Sequence, residues 1–117
     1  TWSPDGNKIA FASDRSGNNY EYDIFTMDTD GSNIQQITSG ISLNTYAPAP
    51  RWSPSGDKLV FATDSGAIMT VEADGNNSEL ITDDTESDRS PGWSQDGTEI
   101  VFERNNDIYK KNADGSG

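Results

Sequence analysis

The chain has 117 residues, 20 acidic and 8 basic side chains, a net charge of −12, and neither cysteine nor histidine. Nucleic acid and anionic membrane surfaces are disfavoured as partners, because neutralising phosphates takes a basic stripe that this composition does not supply. Without Cys or His there is no disulfide frame, no thiolate zinc site, no thiol nucleophile and no Ser-His-Asp triad, and the commonest general base and transition-metal ligand are missing.

Apolar residues make up 31% of the chain, low enough to suggest disorder if they were scattered. They are gathered in short runs instead, which predicts a folded all-β chain. No apolar stretch approaches the length of a membrane span. The chain opens on Thr and closes on Gly-Ser-Gly, the look of a processed or excised piece.

In chain order, Trp2 opens a phrase that runs through the turn Ser3-Pro4-Asp5-Gly6 to the apolar triplet Ile9-Ala10-Phe11. A further strand is expected over Asp23–Met27, then the turn Asp28-Thr29-Asp30-Gly31, then a strand over Ile34–Thr38. The phrase returns at Trp52, with Ser53-Pro54-Ser55-Gly56 and Leu59-Val60-Phe61. It is followed by strands expected at Ala67–Val71 and Glu79–Thr82 around the turn Glu72-Ala73-Asp74-Gly75. It returns a third time at Trp93, with Ser94-Gln95-Asp96-Gly97, Ile100-Val101-Phe102, a strand expected at Asp107–Lys111 and the turn Asn112-Ala113-Asp114-Gly115. Pro pre-sets the turn, Gly takes its left-handed position, and Asp-Gly between strands marks a hairpin. Each triplet is apolar at successive positions, so burial on both sheet faces is expected, with the Phe of each triplet packed between sheets.

The tryptophans are 50 and 41 residues apart. Four antiparallel strands at this period are the signature of a β-propeller blade. Stacked solenoid coils are the competing arrangement, but their repeats are usually shorter and lack two hairpin turns each. The reading is a single propeller segment over 1–117, a partial ring of about three blades at roughly 1–50, 51–91 and 92–117, the last incomplete.

These phrases resemble the TolB-type β-propeller repeat, a relative of the WD-repeat pattern found in exported bacterial proteins. The likeness is carried by Trp2-Ser3-Pro4-Asp5-Gly6, Ile24–Ser32 and Ile37-Thr38. It recurs at Trp52–Gly56, Ile68–Gly75 and Ile81-Thr82, and in part at Trp93–Gly97 and Ile108–Ser116. The resemblance implies blades of a six- or seven-bladed ring and a periplasmic or extracellular setting. It leaves function open, since such propellers serve as translocation partners, peptidase gates, lyases and scaffolds.

Within a blade, the Gly-tipped turns open on one side of the ring and the remaining loops on the other. Those loops are longer and more varied, and long loops on a rigid scaffold are where binding residues concentrate. Ser13–Tyr22 brings Asp14, Arg15, Tyr20 and Tyr22. Ser39–Ala49 brings Tyr46. Asp83–Pro91 brings Asp88 and Arg89. Tyr and Arg are favoured at binding hot spots. The competing reading packs the tyrosines on the blades and spends the arginines on structural ion pairs. Asp28-Thr29-Asp30-Gly31-Ser32-Asn33 looks like the start of a calcium loop but lacks the distal Glu, so an Asx-stabilised hairpin turn is the expectation and calcium the alternative. No other cofactor is expected, nor is catalysis. The expected role is a non-enzymatic binding or scaffolding module engaging a protein partner. The alternatives are the gating propeller of a larger peptidase of the prolyl oligopeptidase type, and a subunit that assembles with copies of itself into a ring or filament.

Overall fold

The computed structural model describes residues 1–17, 21–44 and 49–117. Among these there is no helix. Ten strands form three antiparallel sheets. The first sheet holds β1 (Lys8–Ser13), β2 (Asp23–Asp28) and β3 (Gln35–Gln36), with Trp2 bridged to Ile9 where an inner strand would lie. The second has all four strands: β4 (Arg51–Trp52), β5 (Lys58–Ala62), β6 (Ile68–Glu72) and β7 (Glu79–Leu80). The third has β8 (Arg89–Trp93), β9 (Glu99–Arg104) and β10 (Asp107–Asn112).

The first turn of each blade is built the same way. Gly6, Gly56 and Gly97 donate their N–H to the carbonyls of Ser3, Ser53 and Ser94 at 2.9, 2.9 and 3.0 Å. The Ser3 hydroxyl donates to Asp5 at 2.6 Å and accepts the Lys8 N–H at 2.9 Å, and Ser94 does the same with Asp96 and Glu99 at 2.6 and 3.0 Å. In the second blade Ser55 stands at the Asp position, and Asp57 supplies the carboxylate to Ser53 at 2.8 Å.

The outer strands β3 and β7 are two residues long, shorter than the Ile34–Thr38 and Glu79–Thr82 expected. A side chain cuts the ladder short. The N–H of Ile24 donates to the Thr38 hydroxyl and that of Ile68 to the Thr82 hydroxyl, both at 2.9 Å. The main chains of Ile37-Thr38 and Ile81-Thr82 turn back to share the carbonyls of Ile24 and Ile68. A threonine hydroxyl thus takes the place of a main-chain acceptor.

Both faces of the middle sheet are buried. Leu59, Phe61 and Val71 pack with Ala10, Ile24 and Ile37 of the first blade, joined by Leu43. Val60, Ala62, Ile68 and Ile81 pack with Ile100 and Phe102 of the third. Phe61 and Phe102 lie between blades as expected, whereas Phe11 is half-buried on the face of the first blade that points away from the second.

The two blade contacts share a set of polar and close-packed points. The indole N–H of Trp52 donates to the Thr1 carbonyl, and that of Trp93 to the Arg51 carbonyl, both at 3.1 Å. In each case the acceptor precedes the tryptophan of the blade before. Gly56 lies against Pro4 and Gly97 against Pro54, each with room for a Cβ at 3.6 Å from the proline ring.

Candidate functional site

The strand register sets which loops share an end of the sheets. Lys8 pairs with Asp28 and Lys58 with Glu72, so the two Gly-tipped turns of each blade lie at one end. Ser13 pairs with Asp23 and Ala62 with Ile68, so the longer loops lie at the other. Those loops are tied to one another. Leu43 bridges Thr63, Ser42 bonds Asp64 at 2.8 Å, and the Asp88 N–H donates to the Gly66 carbonyl at 2.9 Å. The turn at Asp64–Gly66 is therefore gripped by the connecting segments on both sides of the second blade.

The described candidate residues have distinct environments on this face. Asp14 is exposed and closes a turn through the Gly17 N–H at 3.1 Å. Arg15 is exposed and lies over the stacked rings of Phe11 and Phe25, 5.5 Å from each centroid. Tyr22 is half-buried against the core between the first two blades. Tyr20 and Tyr46 lie outside the described residues. Asp88 is fully buried and accepts both ends of the Arg104 guanidinium at 2.6 and 2.7 Å. Arg89 is exposed, donates to Glu103 at 2.6 Å and Asn106 at 3.1 Å, and holds the Glu103 carboxyl below its usual range. The structure thus gives Asp88 and Arg89 ion-pair partners and brings Asp14 and Arg15 to the surface.

Arg104, Glu103 and Asn106 complete this arrangement and were not singled out by sequence reasoning. Arg104 lies over Phe102 and Tyr109 at 5.4 and 5.3 Å, as Arg15 lies over its own ring pair. The available signal was an Arg two residues past a triplet Phe, at a strand end where a long side chain reaches the next loop.

A second concave surface lies along the first strands, where Trp2, Arg51, Trp52, Ser90, Trp93 and Gln95 line a groove of about 580 Å³. Ser90 sits there with φ 55, beside the bulge between Arg89 and Gly92. At the turn end, the suspected calcium loop is occupied by its own donors. Lys8 and Asn33 bond Asp28 at 3.0 and 2.5 Å, and Ser32 bonds Asp30 at 2.6 Å. These contacts hold both carboxyls below the usual range, Asn33 acting most on Asp28 and Ser32 most on Asp30. Among the described residues no three acidic side chains converge on one point.

Blades of this construction define a β-propeller. The sequence matches the TolB beta propeller domain over residues 1–116, and the chain belongs to that family. It is similar to the structure of a putative TolB from Agrobacterium tumefaciens, with 27% identity and a TM-score of 0.79 over 99% of this chain and 45% of that one. TolB from Acinetobacter baumannii is 21% identical with a TM-score of 0.71, over 98% of this chain and 29% of that one. Oligogalacturonate lyase from Vibrio parahaemolyticus is 21% identical with a TM-score of 0.68, over 86% and 26%. The last two likenesses show the fold alone. The chain spans less than half the length of each of these proteins. No protein with a curated description matches it.

Proposed function

We propose that this chain is a non-enzymatic propeller module of an exported protein that binds a protein partner through its long-loop face. The observation that carries this is the gripping of the Asp64–Gly66 turn by segments 39–44 and 83–88, which fixes variable loops on a rigid scaffold. Such a face presents Arg89, next to the held segment 83–88, without the ordering cost a loose loop would incur on binding. The opposite end is occupied by short turns whose carboxylates bond within the turn, which leaves less for a partner to engage. Export rests on the TolB-type family. The absence of His supports a binding role, since the commonest general base is lacking.

Because the chain has no cysteine, single cysteines give clean cross-linking sites. Asp14→Cys and Asp84→Cys report on the loop face, and Asp30→Cys on the turn face. Cross-linking in the cell envelope of the source organism is expected to yield one discrete adduct from the loop positions and none from Asp30→Cys. Equal adducts from both faces, or adducts from the turn face alone, overturn the reading, and fractionation of the same cells into cytoplasm and envelope tests export.

A further inference from the structure

The second Gly-tipped turn occurs in all three blades, so each copy is a control for the others. Asp30-Gly31 and Asp114-Gly115 are followed by Ser32 and Ser116, whereas Asp74-Gly75 is followed by Asn76. Ser32 and Ser116 each donate the main-chain N–H at 2.9 Å and the hydroxyl at 2.6 Å to the aspartate two residues before. Asn76 donates its main-chain N–H and its side-chain Nδ2 to Asp74, both at 2.9 Å. A serine thus satisfies this turn, and the carboxamide is more than the turn requires. Ser78 is a second departure. It stands where the first blade has Ile34, it is exposed, and its hydroxyl makes no hydrogen bond among the described residues. Together the two departures write Asn76-Asn77-Ser78, the one Asn-x-Ser/Thr motif in the chain.

We propose that Asn76 is a site of N-linked glycosylation, the donor being an oligosaccharide carried on a lipid pyrophosphate. Asn76, Asn77 and Ser78 are all exposed, in the turn between β6 and β7 of the one blade that has four strands. Asn77 takes φ 48 and bonds Glu72 at 2.9 Å, as Asn33 takes φ 52 and bonds Asp28. It therefore serves the turn and leaves Asn76 and Ser78 on either side of it for an enzyme to read. A carboxamide nitrogen is a weak nucleophile, because its lone pair is shared with the carbonyl. Asp74 accepts one Nδ2 hydrogen in a charge-assisted bond, which leaves more electron density on that nitrogen. The Asn76 main-chain N–H first, and its side chain second, hold the Asp74 carboxyl below the usual carboxylate range, so it is anionic. In the transfer, Nδ2 attacks the anomeric carbon of the donor. A C–N bond forms as the C–O bond to the pyrophosphate breaks, the pyrophosphate leaves with the electron pair, and a base of the transferase takes the other Nδ2 proton. The Asp74 contacts span two residues, so they form with the turn itself and need no packed blade. The glycan stands at the Gly-tipped end, opposite the loops assigned to a partner, and leaves that face clear.

The assignment rests on the export proposed above, since this motif is used on the surface loops of secreted chains. It is tested on protein isolated from the cell envelope of the source organism and digested with trypsin. No Lys or Arg lies between Lys58 and Arg89, so residues 59–89 come off as one peptide that carries Asn76. Mass spectrometry is expected to find a glycan on that peptide, linked at Asn76. Asn76→Ser, the residue of the other two turns, is expected to lose the glycan and keep the thermal midpoint. Ser78→Ala is expected to lose it and Ser78→Thr to keep it. Asp74→Asn is expected to lower its occupancy severalfold. An unmodified peptide from protein found in the envelope overturns the glycosylation and leaves export standing. Protein found in the cytoplasm alone overturns export and the glycosylation with it. A glycan that survives Asn76→Ser or Ser78→Ala lies elsewhere and overturns the assignment.

Discussion

Arg104 holds the fully buried carboxylate of Asp88 through two charge-assisted hydrogen bonds, 2.6 and 2.7 Å long, while its guanidinium lies over Phe102 and Tyr109. Asp88 also fixes its own main chain to Gly66 of the neighbouring blade. One pair therefore joins the entry of the third blade, its second strand and the loop of the second blade. Breaking a buried pair from one side strands the other charge. Arg104 retains access to water, with its side chain 23% exposed, so the cost falls below that of a fully buried ion. Asp88→Ala is expected to destabilise the chain by about 2 kcal/mol. Asp88→Ala with Arg104→Met is expected to recover part of that loss in urea unfolding. A double variant no better than the single one removes the stranded charge as the cause.

The Trp52 indole donates across a blade contact, whereas the Trp2 indole has no acceptor among the described residues and is exposed. Trp52→Phe loses a hydrogen bond and leaves a void at the contact, together about 2 kcal/mol. Trp2→Phe is expected to change stability by less than about 0.5 kcal/mol in the monomer. Equal losses from the two substitutions would falsify the assignment of the cost to the blade contact.

The repeat was legible because it places Trp, Gly and an apolar triplet at the same turn-and-strand positions three times, and each has one physical job there. The Phe61 and Phe102 packing and the Gly-tipped turns follow directly. The length of the outer strands was not legible. Propensity reads Ile34–Thr38 as extended, and only the fold shows Thr38 and Thr82 reaching back as side-chain acceptors. Loop residues were legible as a face but not as roles. Asp88 and Arg89 are adjacent in sequence, yet one is buried against Arg104 and the other is exposed beside Glu103. Adjacent extended residues point to opposite faces, and nothing in the local sequence says which of the two meets Arg104.

Gly66 and Gly6 both have positive φ, at 92° and 75°, but only Gly66 is crowded. A Cβ on Gly66 would stand 2.7 Å from the Glu86 carbonyl oxygen and 2.9 Å from the Ser87 Cα, both main chain. Gly6→Ala meets nothing within 4 Å and incurs only the left-handed conformation, about 1–2 kcal/mol. Gly66→Ala adds a main-chain clash and is expected to cost about 3 kcal/mol or more. Thermal unfolding of the two variants side by side checks this, and equal costs rule out the close loop packing on which the binding-face proposal rests.

Thr70 is fully buried in β6, paired with Val60 and facing the third blade, and its hydroxyl has no hydrogen-bond partner among the described residues. An unsatisfied buried hydroxyl costs more than it returns. Thr70→Val keeps the shape and the β-branching, and is expected to stabilise the chain by about 1 kcal/mol. A destabilised Thr70→Val variant in urea unfolding would show that the hydroxyl has a partner in solution.

The exposed turn aspartates link stability to acid. Ser3 and the Asn7 N–H lower the Asp5 carboxyl, Ser55 and Ser53 that of Asp57, and Ser116 that of Asp114. Asp96 is brought down to about 2 by Ser94 and by the N–H and hydroxyl of Thr98. These bonds exist only in the folded turn, so each folded-state pKa lies below that of the unfolded chain, about 3.9 for an aspartate. The unfolded state binds more protons in that interval, so stability rises with pH across it. The contribution is complete above about pH 4 and is lost as the pH falls toward 2. Ser94→Ala removes the main cause at Asp96. Its carboxyl is then expected to titrate closer to 3.9 by NMR, and the slope of stability against pH below 4 to shrink by part of one proton. An Asp96 midpoint already at the ordinary value in the wild-type chain, or stability that stays flat from pH 4 to 2, defeats this account of the turns.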